Sequence, residues 1–280
     1  MRIALAQVDC ALGDLTANLA TARRSVDEAR AAGAELVVFP ELSLSGYSVG
    51  AVEQDLALRA DDPQLLELAQ AAGPMDVLVG FCEDGAGMHT YNSAAYFRAG
   101  RLVHVHRKLY LPTYDIFEER KHFSPGQHLR AFDATPGRTA ILTCNDAWQP
   151  QLAFVAVQDG AHILLVPTSS AQSRFPERYD SATYWADITR FYARMFQVYV
   201  VFVNRVGEES GLRFWGGSHV VDPWGNPVAQ ARVDEPELLI TDLDLTSVRR
   251  RRREVPLVKE ARLSLVLREI QRLVEEGGDV

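Results

Sequence analysis

Apolar residues recur along the chain at two periods, and the switches between them mark out strands and helices. Residues 2–8 alternate as a strand does, while Leu19, Ala22, Val26 and Ala29 share one side of a helix expected over 15–32 and closed by Gly33. Residues 35–39 follow as an almost unbroken apolar run. Strand, helix and buried strand in succession predict a parallel pair, whose carboxyl ends are where α/β proteins place their sites. A helix over 63–72, a strand over 75–82 and a hairpin of 91–97 with 101–110, turned at Arg98-Ala99-Gly100, complete the first half.

The second half repeats this order of elements, though not the residues. Residues 139–143 form a β-branched apolar strand that stops at Cys144. Pro150 suits a first helical turn, 151–158 are helical, Gly160 ends the helix and 163–166 form another strand. A loop over 168–179 leads to a long helix, 180–198, in which Tyr184, Ile188, Tyr192 and Met195 make a stripe that reads as core. There follow a strand over 199–204, a loop over 205–215, a hairpin of 215–221 with 228–232 about the turn 223–226, a strand over 238–243 and a helix over 259–273. The pattern predicts an α/β fold of two related mixed sheets in one domain spanning residues 1–280, because no Pro/Gly/Ser linker divides it.

Cys144 falls where a strand gives way to small and polar residues, close to a helix start whose partial charge and free N–H groups favour a thiolate and an oxyanion. A lone cysteine there also serves as a small packed hydrophobe. Glu41 directly follows the second strand, and Glu119 lies in a polar turn expected over 114–123; either alone reads equally well as a solvated loop carboxylate. Lys108 shares a strand face with His104 and His106 and runs into the apolar and aromatic Leu109-Tyr110-Leu111-Pro112-Thr113-Tyr114, a setting that suits a cation in a pocket or a covered stem with its head in water. Together Glu41, Lys108 and Cys144 have a joint chemical logic. A thiol with a pKa of about 8.5 needs a base to become a good nucleophile, a carboxylate of raised pKa can take its proton and return it to a leaving amine, and an ammonium can hold an oxyanion.

The 280 residues are 47% apolar and 24% charged, with a formal charge of -8, which suits a soluble globular protein and argues against general affinity for nucleic acid. Against that charge, residues 249–253 are an unbroken arginine run, read as a solvated or interface segment leading into the last helix. No apolar run approaches the roughly 18 residues of a membrane span, and the start is strand-like rather than a signal-peptide core. Cys10, Cys82 and Cys144 fit neither a disulfide framework nor a zinc spacing, so a reducing, cytoplasmic setting is expected. A metal-dependent hydrolase built on His104, His106 and His122 is a rival that lacks an obvious carboxylate ligand set.

Three segments carry a family resemblance. Phe39-Pro40-Glu41-Leu42-Ser43-Leu44-Ser45-Gly46-Tyr47, His106-Arg107-Lys108-Leu109-Tyr110-Leu111-Pro112 and Leu142-Thr143-Cys144-Asn145-Asp146-Ala147-Trp148 resemble, in this order, the signature segments of the nitrilase superfamily of carbon-nitrogen hydrolases. The likeness runs from the opening strand to Trp215-Gly216-Gly217-Ser218-His219 and Pro256. It implies a four-layer αββα sandwich, no metal or organic cofactor, a homodimer or larger homo-oligomer with the tail (about 247–280) in an interface, and a Glu41-Lys108-Cys144 triad. A second glutamate, in a Tyr-x-x-Phe-x-Glu pattern, falls on Glu119. Residues 108–123 are especially similar to glutaminase domains of NAD synthetases and to nearby amidases, although no synthetase-sized stretch follows within these residues. Asn145 and Gln151 stand where many relatives carry other residues.

The resemblance implies hydrolysis of a small amide to a carboxylic acid and ammonia or amine through a thioester on Cys144, the oxyanion held by Lys108 and the Asn145 N–H. An N-carbamoyl compound, glutamine or a nitrile are alternative substrates of the same triad, and a silent binding protein is the non-enzymatic alternative. Tyr47, Tyr114, Asn145, Trp148 and Arg174 are the candidate substrate contacts, carried on or near loops over 43–54, 112–128, 168–179 and 205–215.

Overall fold

The computed structural model describes residues 1–277; the last three residues of the tail expected at an interface lie outside it. The chain begins β1 (Arg2–Gln7), α1 (Leu15–Ala31), β2 (Leu36–Val38), α2 (Pro63–Ala71), β3 (Asp76–Asp84), β4 (Thr90–Arg98), β5 (Arg101–Arg107) and the one-turn α3 (Glu119–His122). It continues β6 (Phe132–Ala134), β7 (Gly137–Ile141), α4 (Pro150–Gln158), β8 (Ile163–Thr168), α5 (Ser181–Phe196), β9 (Tyr199–Asn204), β10 (Val206–Glu209), β11 (Leu212–Trp215), β12 (His219–Val221), β13 (Pro227–Gln230), β14 (Glu237–Asp242), α6 (Thr246–Glu254) and α7 (Leu263–Glu275).

Two six-stranded mixed sheets result, ordered β14-β1-β2-β3-β4-β5 and β13-β12-β9-β8-β7-β6. Parallel pairs occupy their centres and antiparallel pairs their edges. The period-two alternation of each strand sorts its residues between two cores. Ile3, Leu5, Leu36 and Val38 of the first sheet meet Ile141, Ile163, Leu165 and Val201 of the second in a layer between the sheets. Their neighbours face outward: Ala4 and Val37 pack beneath α1 and α2, and Leu164 and Phe202 beneath α4 and α5. Burial on both faces is why the central strands read as unbroken apolar runs, and the layers stack as αββα, as expected. Among the described residues no helix is long and apolar enough to cross a membrane.

Three expectations change. The loop over 205–215 is the hairpin β10–β11, turned at Ser210 and Gly211, whose φ angles of 49° and 79° suit the tight turn that matches strand twist. The stripe on the long helix is rotated: Trp185, Thr189, Tyr192 and Ala193 are buried, while Tyr184 and Met195 remain 48% and 45% exposed. The larger indole of Trp185 packs on Phe202 of β9, and one residue of helix is a turn of about 100°, enough to carry Tyr184 away from the sheet. The arginine run is itself helical, within α6, anchored by Val248 in the inter-sheet core and by Arg252, which donates to the Ala161 carbonyl. The strand late in the chain, β14, returns to pair antiparallel with β1.

Candidate active site

Past β2 the chain turns through Pro40 and Glu41 and lies directly on β3 at Gly80. A Cβ there would collide with the Pro40 carbonyl and the Leu42 amide, so the turn can sit this low only over glycine. The Gly80 carbonyl then accepts from Ser43 Oγ at 3.1 Å and from the Leu44 N–H at 3.2 Å, and Leu42 is held at φ 48°. This strained, pinned turn aims the buried Glu41 inward. Gly80→Ala is therefore expected to lift the Pro40–Leu42 turn and lower kcat by about 10²-fold while the circular dichroism spectrum stays native; wild-type kcat in a folded variant would count against this account of how Glu41 is placed.

Lys108 follows β5, its amide bonded to the Asn92 carbonyl at 2.8 Å. Its Nζ donates to Glu41 Oε1 and to Glu119 Oε1, each at 2.6 Å, and none of the three side chains is more than 3% exposed. Glu41 accepts further bonds from Asn92 Nδ2 (2.8 Å) and the Ser169 N–H (2.8 Å), and Ser169 Oγ donates to the Glu41 carbonyl. Glu119 accepts from the Tyr47 hydroxyl at 2.6 Å. Tyr47 is fixed from behind: its N–H and that of Ser48 donate to the carboxylate of Glu209, which also receives Arg205 Nη1 at 2.6 Å. The β10–β11 hairpin thus braces the ammonium through Glu209, Tyr47 and Glu119.

Cys144 opens a tight helical turn over Cys144–Trp148 with φ 47°, a conformation that costs an L-residue strain and commonly marks a functional position. Asp146 holds this turn against the segment after Lys108. Its Oδ1 accepts from the Leu109 and Tyr110 N–H groups at 2.9 Å each, and its Oδ2 meets His106 Nε2 at 2.8 Å and the Thr143 N–H at 3.2 Å. The Cys144 and Asn145 N–H groups, first in the turn, have no backbone carbonyl partner among the described residues and are left available as donors.

Burial, and then the Glu41 carboxylate, push the Cys144 thiol well above the ordinary cysteine range; Lys108 and the Ser169 N–H pull it down without prevailing. Desolvation outweighs the nearby ammonium, and the proton stays on sulfur beside a carboxylate able to take it, which is the need for a base that the residues implied. Burial alone disfavours the Lys108 ammonium, yet Glu119 and Glu41 more than compensate and hold its pKa well above the usual value. Burial raises Glu119 to about 7, against the pull of Lys108. A carboxyl group whose folded pKa is raised contributes stability below its unfolded pKa and loses that contribution as pH climbs through the folded one. Wild type should accordingly lose stability relative to Glu119→Gln between about pH 4.5 and pH 7, as read by urea denaturation across that range; a pH-independent difference would contradict the raised value.

A narrow cleft lies over the sulfur, walled by Tyr114, Phe117, Asn145, Trp148, Ser170 and Tyr179. Its free space of ≈ 20 Å³ holds about one water. Tyr114 donates to Asn145 Oδ1, and Trp148 stacks on Tyr184 with ring centroids 5.8 Å apart. Of the five candidate substrate contacts, Tyr114, Asn145 and Trp148 line this cleft. Tyr47 stands behind Glu119, and Arg174 borders a different cavity, of ≈ 360 Å³, with Tyr47, Glu118 and His122; Arg174 is therefore not a wall of the cysteine cleft. The histidines are dispersed: His106 pairs with Asp146, His104 stacks on Phe132 and His122 lies against Gly50. Among the described residues no group of three or more His, Cys, Asp or Glu side chains is arranged to hold a metal ion.

Sequence reasoning missed Asn92, Ser169, Asp146 and Glu209. Ser169 carries a usable signal, because it follows β8 at the same strand end as Cys144 and Glu41. Asn92 and Glu209 are lone polar residues whose partners come from distant parts of the chain.

Two sheets back to back between helical layers, with carboxylate, ammonium and thiol buried together at one end, define the nitrilase-like class of αββα proteins. The chain belongs to the carbon-nitrogen hydrolase family, whose model matches residues 2–253. It is 32% identical over 248 residues to the glutamine-dependent NAD(+) synthetase of Thermotoga maritima, covering 88% of this chain and 42% of that protein. It is 28% identical over 268 residues to the N-carbamoylputrescine amidase of Arabidopsis thaliana, covering 90% and 89%. The chain spans less than half the length of the NAD synthetases it matches. A solved structure of a mutant of the amidase from Nesterenkonia sp. AN1, showing the result of Michael addition of acrylamide at the active site cysteine, matches with a TM-score of 0.77 and 26% identity, covering 91% of this chain and 98% of that one.

Proposed function

We propose that the protein hydrolyses the carbon-nitrogen bond of a small amide through a thioester on Cys144. The observation that carries this reading is a buried thiol that shares its site with a carboxylate whose ammonium partner also binds a second carboxylate. Glu41 takes the thiol proton as sulfur attacks the carbonyl carbon, so that no free thiolate need persist. The oxyanion that forms is met by Lys108 Nζ and the Asn145 N–H. Glu41 passes its proton to the nitrogen, the carbon-nitrogen bond breaks, and ammonia or an amine leaves. Water, deprotonated by Glu41, then attacks the thioester; the carboxylic acid departs and the proton returns to sulfur. Glu119 and Tyr47 hold the ammonium in place throughout. No step calls for a metal or organic cofactor.

The family resemblances to an N-carbamoylputrescine amidase and to NAD synthetases extend the test to carbamoyl amines and glutamine, which the same residues would cleave. The experiment is ammonia release from a panel of simple amides, carbamoyl amines, glutamine and nitriles, with intact-mass detection of an acyl adduct on Cys144. Ammonia release without any adduct, even after rapid acid quenching, would remove the thioester from the scheme.

The reading includes a homo-oligomer. Helix α7 buries no residue of its own, and Leu267, Ile270 and Leu273 on it are about half exposed or more, as is Phe191 on α5. Apolar faces of this kind are ordinarily covered by a partner. Light scattering on the purified protein should return a mass at least twice that of the chain.

A further inference from the structure

A further cavity, larger than the Cys144 cleft, adjoins it. Ser173, Tyr179 and Ser181 border both spaces, while Ala186, Thr189 and Trp215 belong to the farther one. Its volume is ≈ 340 Å³ against ≈ 20 Å³ over the sulfur, within the range of about 300–1,000 Å³ that holds small organic ligands. The cleft at the sulfur accommodates little more than the reacting group, and the larger space begins on the other side of Tyr179.

Two features of this cavity describe what would fill it. Trp215 is only 5% exposed, yet its indole N–H has no acceptor among the described residues; a buried donor in that state is uncommon and invites an acceptor from outside the chain. The remaining polar groups carry no net charge. His219 is held as a neutral ring, its burial lowering the pKa, with Nδ1 donating to the Gly217 carbonyl and Nε2 accepting from Thr189 Oγ1, each at 2.9 Å. Asp180 is occupied in capping α5 through the Ala182 N–H and the Thr183 hydroxyl, and Arg190, of opposite formal charge, also borders the cavity.

We propose that this cavity is the distal subsite of the hydrolase: the tail of an amide whose carbon-nitrogen bond lies at Cys144 passes Tyr179 and settles against Trp215. The tail is uncharged and largely apolar, and carries one hydrogen-bond acceptor, a carbonyl or ether oxygen, for the indole N–H. This rests on the amidase reading above and narrows its substrate class from any small amide to an extended one.

The test compares kcat/KM for acetamide, hexanamide and an ether amide of the same length as hexanamide, in wild type, Ala186→Phe and Trp215→Phe. Residue 186 is exposed at the cavity's edge, so phenylalanine there narrows the space without disturbing the core. Wild type should favour each long amide over acetamide by at least ~10-fold. Ala186→Phe should bring both ratios close to one. Trp215→Phe, which keeps an aromatic ring and removes the donor, should lower the ether amide relative to hexanamide by about 5-fold. Equal long-to-short ratios in wild type and Ala186→Phe would overturn the subsite while leaving amide hydrolysis intact. If wild type cleaves none of the amides, calorimetric titration of the ether amide into Cys144→Ala, with and without Ala186→Phe, decides separately. Binding abolished by Ala186→Phe upholds the cavity although the hydrolytic reading has failed, and absence of binding overturns both.

Discussion

Cys144→Ala is expected to reduce amide hydrolysis on the order of 10⁴-fold or more, with no acyl adduct by mass spectrometry and an unchanged fold. The size of the effect follows from Cys144 being the one thiol on the cleft, where Ser170, Ser173 and Ser181 offer only weakly nucleophilic hydroxyls. Exchanging a buried thiol for a methyl group disturbs little packing, since Cys144 lies among apolar neighbours of the α4–α5 layer and its strained φ is set by the Asp146 bonds around it rather than by the sulfur. Thermal stability should thus be close to wild type, and slightly improved if the positive φ is better tolerated by the smaller side chain. Substantial residual turnover, with the variant's purity established, would transfer the chemistry to a water activated directly by Glu41 and end the thioester mechanism.

Lys108→Met should be damaging in both activity and stability. Methionine replaces the apolar stem but leaves Glu41 and Glu119 facing each other across a site that excludes solvent. Removing one member of a buried ionic group costs about 3–5 kcal/mol because the remaining charge is uncompensated. The protein can relieve part of this by protonating a carboxyl group, which fixes the sign of the pH dependence. The orphaned carboxyl has a raised folded pKa, so stability is retained below its unfolded pKa of about 4 and declines as pH rises through the folded value. Urea midpoints for wild type and variant should therefore converge toward pH 5 and separate toward pH 8. Loss of one oxyanion donor lowers kcat by about 10²–10³-fold, and the loosened Glu41 adds to it. A variant as stable as wild type at pH 8 would mean that the ammonium is not what neutralises the two carboxylates.

Much of this arrangement was legible in the residues. Strands buried on both faces announce themselves as apolar runs, and Glu41, Lys108 and Cys144 each stand at or just past the end of one, so their meeting at one end of the sheets could be anticipated from topology. The hairpin β10–β11 was also readable, from Ser210-Gly211 between alternating residues, but its short strands and charged Glu208-Glu209 obscured it as a loop. The rotation of α5 was not, because Tyr184 and Trp185 are both apolar and only the shape of β9 beneath them selects which one packs.

By itself, the sequence determined the order and type of nearly all elements and the two-core alternation of the strands, since each depends on residue type and on contacts within a few positions; it grouped Glu41, Lys108 and Cys144 only through their shared place at strand ends and the family resemblance. The tertiary structure alone decided the protonation of Cys144 and Lys108, the bracing of Lys108 by Glu119, Tyr47 and Glu209, the support of Glu41 by Asn92 and Ser169, and the removal of Arg174 to another cavity. The physical reason is the same in each case. Desolvation and charge coupling depend on how completely distant segments close around a group, and residues 41, 108 and 144 acquire their chemistry only when water has been excluded from the space they share.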